Sequence, residues 1–358
     1  MLNSSRWRFR VIPTAILVFA AVLGCGQVPA LSLEDSASVV VPPRIASERT
    51  CYTGEWGTEA AYLARPQTQK LYADPSQRER AVRRYQFWRD HFDCRWIRYS
   101  VDDLMVDGFI VTPNSTPPEG GWPVIIFNHG GNADIGQVRF QYIAMRLFPL
   151  VDAGFMVMGS QYRGTRIGDS PNPDRLRDEY GGADVNDILA LLDIATSRPE
   201  ADSARIGMWG TSRGGMMSLL AARRDSRIDS LVVEATPTDL KMGLQQRPDM
   251  ARVFSTWIPG FERDPDSALE SRSVMYWIDE LDPDLPVLII HGSDDGRVDP
   301  VHAKQFATAL AERNHPHKLI IYEGDKHGIR KHHREMIREI SDWFAPLAVQ
   351  RTENPSTP

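Results

Sequence analysis

One stretch carries most of the architectural information in this chain: Ile206-Gly207-Met208-Trp209-Gly210-Thr211-Ser212-Arg213-Gly214-Gly215. A strand-like run ends at a Gly-x-Ser-x-Gly sequence, and helical periodicity follows over 216–224. Because Gly210 and Gly214 are small, the chain can pass from strand to helix in a very tight turn. Such a turn lifts the serine side chain off the sheet and points the helix N-terminus at it. We therefore predict that Ser212 is a nucleophile.

Short apolar runs alternate with helix-like segments on both sides of this stretch. The strand candidates are 123–127, 156–158, 231–233, 286–290 and 319–322, and further helix candidates are 74–93, 185–195 and 334–344. Ahead of them, 96–101 and 108–111 predict a hairpin. Buried strands that alternate with helices are typical of an α/β fold, so we expect a mostly parallel central sheet with helices on both faces.

Two further strand ends carry the residues that a nucleophilic serine requires. Serine needs a general base that is held by a third group. Asp294 and Asp295 follow the strand candidate 286–290, and His327 follows the next one. The active sites of parallel sheets lie at the carboxyl ends of the strands. We therefore predict a catalytic triad of Ser212, one of these two aspartates, and His327, in the chain order Ser, acid, His.

The region from about 95 to 346 resembles the α/β-hydrolase fold and, within it, the prolyl oligopeptidase family. The motifs that carry the likeness are His129-Gly130-Gly131, Tyr162-Arg163-Gly164, the stretch around Ser212, His291-Gly292-x-x-Asp295-x-x-Val298 and His327-Gly328. The resemblance implies that Asp295 is the acid and His327 the base. It also implies that the amide of Gly131 joins that of Arg213 in an oxyanion hole.

This region is expected to be a serine hydrolase that works through an acyl-enzyme without a cofactor. Family peptidases usually carry a large β-propeller before the hydrolase domain, and too few residues precede position 95 for one. They also often have Tyr where this chain has Arg213. The sequence thus favours a carboxylesterase, with a peptidase or amidase for short peptides as the second interpretation. A non-catalytic binding protein of the same fold is the alternative from another class.

An aromatic-rich, helical insertion at 242–282 interrupts the alternation and is expected to shape the substrate pocket. The candidates for substrate binding are Tyr162, Arg163 and Trp257. Three arginines suggest instead a site for a substrate carboxylate: Arg213, Arg247 and Arg252. The histidines at 315, 317, 332 and 333 lack a zinc-ligand spacing, so no metal site is predicted.

The N-terminus is typical of an exported protein. An arginine-rich start and an apolar run at 11–23 predict a signal peptide over 1–30. Cys25 lies in a lipobox-like context, which predicts a lipid-anchored bacterial protein; the competing interpretation is cleavage after Ala30 and release into the periplasm or medium. Cys51 and Cys94 then remain as a pair, which predicts a disulfide in an oxidising compartment, against two buried thiols.

Composition sets the remaining limits. The chain has 358 residues, is 42% hydrophobic and carries a net charge of -6, which argues against a nucleic-acid-binding protein. Three cysteines are too few for a disulfide scaffold. We expect a tether at 31–50 within an N-terminal extension at 31–94, a hydrolase domain at 95–348 and a flexible tail at 349–358. The expected partner is a small ester or a short peptide, and the sequence gives no oligomeric state.

Overall fold

The structure is a computed structural model that describes residues 43–72, 74–132, 135–165 and 178–348. The predicted signal peptide at 1–30, with Cys25, and the predicted tail at 349–358 lie outside the described residues.

A nine-stranded sheet forms the centre of the described chain. Its strands are β1 Ile45–Thr50, β2 Phe92–Val101, β3 Leu104–Pro113, β4 Trp122–Asn128, β5 Met156–Ser160, β6 Ala201–Thr211, β7 Ser230–Glu234, β8 Val287–Gly292 and β9 His317–Tyr322. Their spatial order is β1-β2-β3-β5-β4-β6-β7-β8-β9. The first three strands run antiparallel to their neighbours, and every pair from β5-β4 to β8-β9 is parallel. The mostly parallel sheet that the sequence predicts is confirmed.

Helices cover both faces of this sheet. They are α1 Glu59–Ala64, α2 Pro66–Leu71, α3 Pro75–His91, α4 Phe140–Tyr142, α5 Phe148–Asp152, α6 Val185–Ser197, α7 Arg213–Ala222, α8 Leu240–Gln246, α9 Met250–Trp257, α10 Pro265–Glu270, α11 Val301–Glu312 and α12 His333–Ala348. A π-helical turn, Ile143–Leu147, joins α4 to α5. A 3₁₀ turn, Gly54–Trp56, precedes α1, and the 3₁₀ turns Val274–Tyr276 and Ile278–Glu280 follow α10. The segment from α8 to α10 is the helical insertion between β7 and β8. None of the helices in the described ranges is both long and apolar enough to span a bilayer.

The side chains of β4 show why the middle strands read as continuous apolar runs. Val124 and Ile126 pack into the core on the side of α6, α7 and α11, whereas Ile125 and Phe127 pack on the side of α5 and α12. Successive residues of a strand point to opposite faces. Because helices cover both faces, every residue of β4 is buried and no polar alternation remains.

The N-terminal extension is more closely tied to the sheet than the sequence suggests. Ile45–Thr50, within the expected tether, forms the edge strand β1, in which Thr50 pairs with Arg95 of β2. Its residues are mostly exposed, so its sequence lacks the apolar signal of a buried strand. The helix predicted at 74–93 is present as α3, and the Asp74 carboxylate accepts a hydrogen bond of 2.8 Å from the N–H of Ser76 at its start.

A disulfide joins the extension to the sheet. The sulfur atoms of Cys51 and Cys94 are 2.08 Å apart, and the N–H of Cys51 donates to the carbonyl oxygen of Cys94 at 2.8 Å. Next to it, the ring of Trp56 lies 4.6 Å from that of Phe140 in α4. The extension therefore packs directly on the segment that carries Tyr142 and Arg146, two residues of the cavity described below.

Candidate active site

The turn between β6 and α7 has the geometry that its sequence predicts. Ser212 has φ 54° and ψ -125°, a strained conformation for a residue with a side chain. A Cβ atom on Gly210 would lie 2.2 Å from the carbonyl oxygen of Gly214, and one on Gly214 would lie 2.0 Å from that of Asn128. Glycine is therefore required on both sides of the serine. The N-terminus of α7, which begins at Arg213, is directed at Ser212.

Asp295 and His327 form a hydrogen-bonded pair at the ends of β8 and β9. The distance from Nδ1 of His327 to Oδ2 of Asp295 is 2.7 Å. Burial by itself would raise the pKa of Asp295, but hydrogen bonds from His291 and His327 outweigh it and hold the pKa well below its usual value. Asp294, the other candidate, is exposed and its carboxylate accepts from the adjacent Ser293 hydroxyl instead. The geometry places Asp295, not Asp294, behind the histidine.

A second histidine, His291, also holds Asp295. Its Nε2 lies 3.1 Å from the same Oδ2 atom and 2.9 Å from the carbonyl oxygen of Val298. The other carboxylate oxygen of Asp295 accepts from the N–H of Arg297 at 2.8 Å. From the sequence, His291 is expected to hydrogen-bond to loop backbone, as it does to Val298. Its contact with Asp295 was not predicted, and the spacing of four residues between them is the available signal.

One cavity of about 680 Å³ brings the predicted catalytic residues together. Ser212 and His327 both line it, as do Gly131 and Arg213, the two residues assigned to the oxyanion hole. Gly131 has φ +82°, and a Cβ atom there would lie 2.1 Å from the carbonyl oxygen of Ile135. Among the described residues, no backbone carbonyl accepts a hydrogen bond from the N–H of Gly131 or Arg213. Within the described ranges both amides thus lack a backbone acceptor, as the donors of an oxyanion hole must.

The side chain of Arg213 has a structural role. It is 1% exposed and forms ion pairs with the buried carboxylates of Asp178 and Asp184. Its Nη1 also donates to the carbonyl oxygen of Gly131 at 3.0 Å. The sequence-based suggestion that Arg213 binds a substrate carboxylate is wrong, because its guanidinium is already occupied by two protein carboxylates.

The three residues proposed for substrate binding do not line the cavity. Tyr162 is buried and its hydroxyl donates to the carbonyl oxygen of His129 at 3.0 Å. Arg163 is buried in an ion pair with Asp187, with 2.7 Å between Nη2 and Oδ1. Trp257 packs against the core beneath α9. Tyr162 and Arg163 were predicted from their position at a strand end, and Trp257 as an aromatic residue of the insertion.

Residues of the insertion and of the adjoining loops form the wall instead. They are Tyr180, Pro237, Leu240, Gly243, Gln246, Arg247, Met250, Val253, Phe254, Arg297, Val298 and His302. Arg252, the third arginine suggested for a carboxylate, is exposed on α9 and does not contribute.

The wall on the other side holds a buried ion pair. Nη2 of Arg146 lies 2.5 Å from Oε2 of Glu234, which also accepts from Nε1 of Trp209 at 3.2 Å. The backbone carbonyl of Glu234 accepts from the N–H of Ser212 at 2.7 Å, which fixes the turn of the serine. In the sequence, the only signal for the role of Glu234 beside Ser212 is its position directly after a strand candidate.

The histidines near the C-terminus have partners within the protein. Nε2 of His315 bonds to the carbonyl oxygen of Leu285 at 2.6 Å, and Nδ1 of His332 bonds to Asp325 at 2.7 Å. Across the described ranges, no group of three or more His, Cys, Asp or Glu side chains is arranged to hold a metal ion.

Comparison with known proteins places this geometry in context. The family model described as "Prolyl oligopeptidase family" matches residues 141–349. "Uncharacterized peptidase YuxL" of Bacillus subtilis is 26% identical over 257 residues, which cover 69% of this chain but 38% of that protein. "Uncharacterized peptidase YtmA" of the same organism is 24% identical over 264 residues, covering 73% of this chain and 97% of that protein. The chain thus spans well under half of one relative and nearly all of the other.

A solved structure shares the fold. The acylaminoacyl peptidase of Pyrococcus horikoshii superposes with a TM-score of 0.62 at 23% identity, over 74% of this chain and 43% of that one.

Proposed function

Because the chain belongs to the prolyl oligopeptidase family, we propose that it is a serine peptidase that hydrolyses an amide bond in short peptides. The observation that carries the proposal is the Asp295–His327 pair, whose histidine lines the same cavity as the strained Ser212. A cavity of about 680 Å³ has the size of a site for a short peptide rather than a folded protein.

The arrangement supports the following reaction. The hydroxyl oxygen of Ser212 attacks the carbonyl carbon of the substrate, and His327 accepts the hydroxyl proton. Asp295 holds His327 in the correct tautomer and stabilises its cation. The amides of Gly131 and Arg213 donate to the oxyanion of the tetrahedral intermediate. His327 then gives its proton to the leaving nitrogen, and water, deprotonated by the same histidine, releases the acid from the acyl-enzyme.

The comparisons favour a peptidase over a carboxylesterase, which is the opposite of the preference drawn from the sequence. The sequence favoured a carboxylesterase and placed a peptidase second, yet both curated relatives described above are named peptidases. An ester and an amide pass through the same acyl-enzyme, so the triad by itself does not distinguish them. Family membership is what supports amide hydrolysis.

A matched pair of substrates tests this proposal. We would measure kcat/KM on an ester and an anilide that share one acyl group, with Ser212→Ala as the control. We expect cleavage of the anilide and a loss of at least about 1,000-fold in kcat for Ser212→Ala. Ester cleavage without anilide cleavage would return the assignment to a carboxylesterase. No labelling of the wild type by a fluorophosphonate probe would instead favour a non-catalytic binding protein.

We also propose that the protein is exported and anchored by a lipid at Cys25. The arginine-rich, apolar start of the chain supports this, and so does the Cys51–Cys94 disulfide, since disulfides persist in oxidising compartments. Radioactive palmitate supplied to bacterial cells that express the full chain should label it, and Cys25→Ala should abolish the label. Release of unlabelled wild-type protein into the soluble periplasmic fraction would favour cleavage after Ala30.

A further inference from the structure

The side chain of Glu234 uses only one of its two oxygens inside the protein. Oε2 accepts from Nη2 of Arg146 at 2.5 Å and from Nε1 of Trp209 at 3.2 Å. The side chain is 1% exposed, yet within the described residues no donor bonds to the other oxygen, Oε1. An ionised carboxylate oxygen can accept two hydrogen bonds, and accepting them is worth most where water is scarce. Oε1 is therefore a strong acceptor for a ligand in the cavity that Glu234 lines.

Arg146 has donors left over in the same way. Its Nη2 carries the bond to Glu234 and a second one to Sδ of Met336 at 3.6 Å. In the described part of the chain, neither Nε nor Nη1 has an acceptor. The guanidinium lies against two aromatic rings, 5.4 Å from the centre of Tyr142 and 5.0 Å from that of Trp209, which hold it in place. The ion pair thus offers the cavity one acceptor and one donor in fixed positions.

The pair lies on the wall of the cavity that adjoins the loop of the catalytic histidine. The chain after His327 leads to His333, whose Nε2 lies 3.3 Å from the carbonyl oxygen of Met145, the residue before Arg146. The helical insertion forms the opposite wall. Because His327 gives its proton to the leaving nitrogen, we expect the leaving part of the substrate to lie along the wall that holds the ion pair.

We propose that Glu234 and Arg146 bind the first peptide group after the scissile bond: Oε1 accepts from its N–H, and Nη1 donates to a carbonyl oxygen of the same leaving chain. A peptide group has one donor and one acceptor, as the pair does, and the pair carries no net charge that would favour a free ammonium or carboxylate. The substrate class is then a peptide with at least two residues on the leaving side rather than an aryl amide or a simple ester. This inference rests on the proposed function and specifies its substrate.

A pair of substrates isolates the N–H of this peptide group. Both are blocked peptides with two residues on each side of the scissile bond, and in one of them an ester oxygen replaces the N–H of the leaving-side peptide group. We would measure kcat/KM by mass spectrometry of the acyl product that the two share. We expect the wild type to favour the peptide with the N–H by about tenfold or more, since the ester leaves the carboxylate oxygen without a donor. Equal kcat/KM would overturn the inference while leaving the peptidase intact.

Glu234→Gln tests the atom to which the N–H is assigned. Arg146 and Trp209 both donate to Oε2, so the glutamine must keep its oxygen there and place its NH₂ group where Oε1 was. The acceptor becomes a donor in nearly the same volume, and the preference for the N–H should disappear. Glu280→Gln is the matched control, because it removes the same charge from an exposed ion pair with Arg223 outside the cavity. A preference that survives in Glu234→Gln, or is lost in both variants, contradicts the assignment.

Two further comparisons address folding and direction. Since Glu234→Gln leaves Arg146 buried without its counter-charge, the double variant Arg146→Met/Glu234→Gln removes both charges, keeps an acceptor for Trp209 and should show the same loss of preference. An ester replacement in the acyl-side peptide group should change kcat/KM equally in the wild type and in Glu234→Gln. If Glu234→Gln instead removes the effect of the acyl-side replacement, the chain binds in the opposite direction and the assignment to the leaving side is wrong.

Binding to the inactive protein separates this inference from the proposed function. Calorimetry measures the affinity of Ser212→Ala for the uncleaved peptide and for its leaving-side ester analogue, alone and combined with Glu234→Gln. Binding of the peptide that is about tenfold tighter, with the difference lost in the combined variant, supports the site even if no amide is hydrolysed. Equal binding of the two compounds contradicts it whatever the activity.

Discussion

The guanidinium of Arg213 donates a hydrogen bond of 3.0 Å from Nη1 to the carbonyl oxygen of Gly131. One residue thus connects both sides of the oxyanion site, since its own amide is one donor and its side chain holds the loop that supplies the other. Asp178 and Asp184 hold the same guanidinium by ion pairs. The loop is therefore anchored to a buried ionic cluster rather than to solvent-exposed contacts.

Replacing Arg213 should impair both stability and turnover. Arg213→Met leaves two carboxylates buried without their cation, and we expect a loss of about 3–5 kcal/mol in the free energy of unfolding. Arg213→Lys keeps the charge but not the planar set of donors, so it should fold better while kcat falls about 10- to 100-fold. Urea unfolding and kcat on the anilide measure the two effects. A folded lysine variant with unchanged kcat would show that the bond to Gly131 is dispensable.

Gly131→Ala should abolish most activity in a folded protein. A Cβ atom would collide with the carbonyl of Ile135, so the loop must move and its amide leaves the oxyanion site. We expect a fall of about 100-fold in kcat. Gly154→Ala is the matched control, because Gly154 also has a positive φ of +92° but open space around it and lies outside the cavity. Equal kcat in the two variants would contradict the assignment of Gly131.

His291 is expected to position Asp295 without touching the substrate. His291→Ala removes the second donor to the carboxylate, so we expect kcat to fall about 10- to 100-fold with KM nearly unchanged. His291→Gln should recover part of kcat, since an amide N–H can replace the lost donor. A purely structural role would instead lower thermal stability in both variants and leave kcat of the folded fraction intact.

His302 should make stability depend on pH. Burial lowers its pKa to about 4 in the folded protein, against about 6.5 in an unfolded chain. Between these values the unfolded state binds more protons, so this residue lowers stability as pH falls from about 6.5 to about 4, by up to about 1.4 kcal/mol per pH unit. In His302→Gln the side-chain oxygen can still accept from the N–H of Thr238 but does not titrate. Urea unfolding at pH 4.5 and 7 should show a steeper change in the wild type than in the variant; parallel changes would contradict the prediction.

The disulfide should stabilise the whole described fold. It closes a loop with a sequence separation of 43 between Cys51 and Cys94. Removing such a cross-link increases the conformational freedom of the unfolded chain. The variant Cys51→Ser/Cys94→Ser should therefore lose about 2–4 kcal/mol in the free energy of unfolding. Unfolding of wild type and variant without reductant measures the difference. If the two proteins unfold at the same urea concentration, the disulfide does not stabilise the fold.

Local sequence patterns determined the α/β class, most strands and the catalytic turn. Runs such as the one that became β4 are apolar at every position because helices cover both faces, and a run of this kind can be read without knowing its neighbours. The tight turn around Ser212 can also be predicted locally, from its Gly-x-Ser-x-Gly sequence and the clash of a Cβ on Gly210 with Gly214, although the contact that requires Gly214 is with Asn128 of β4. The strand ends of a parallel sheet indicated Ser212, one of Asp294 and Asp295, and His327, and the family resemblance selected Asp295.

Tertiary structure alone decided which side chains face the cavity. Tyr162 and Arg163 stand at a strand end, yet hydrogen bonds to His129 and Asp187, distant in sequence, turn them inward. The edge strand at 45–50 depends on pairing with β2 and has almost no apolar signal of its own. From the sequence, the guanidinium of Arg213 was expected to be free to bind a substrate. The fold places the carboxylates of Asp178 and Asp184 beside it. Such contacts join residues far apart in the chain, so no local pattern contains them.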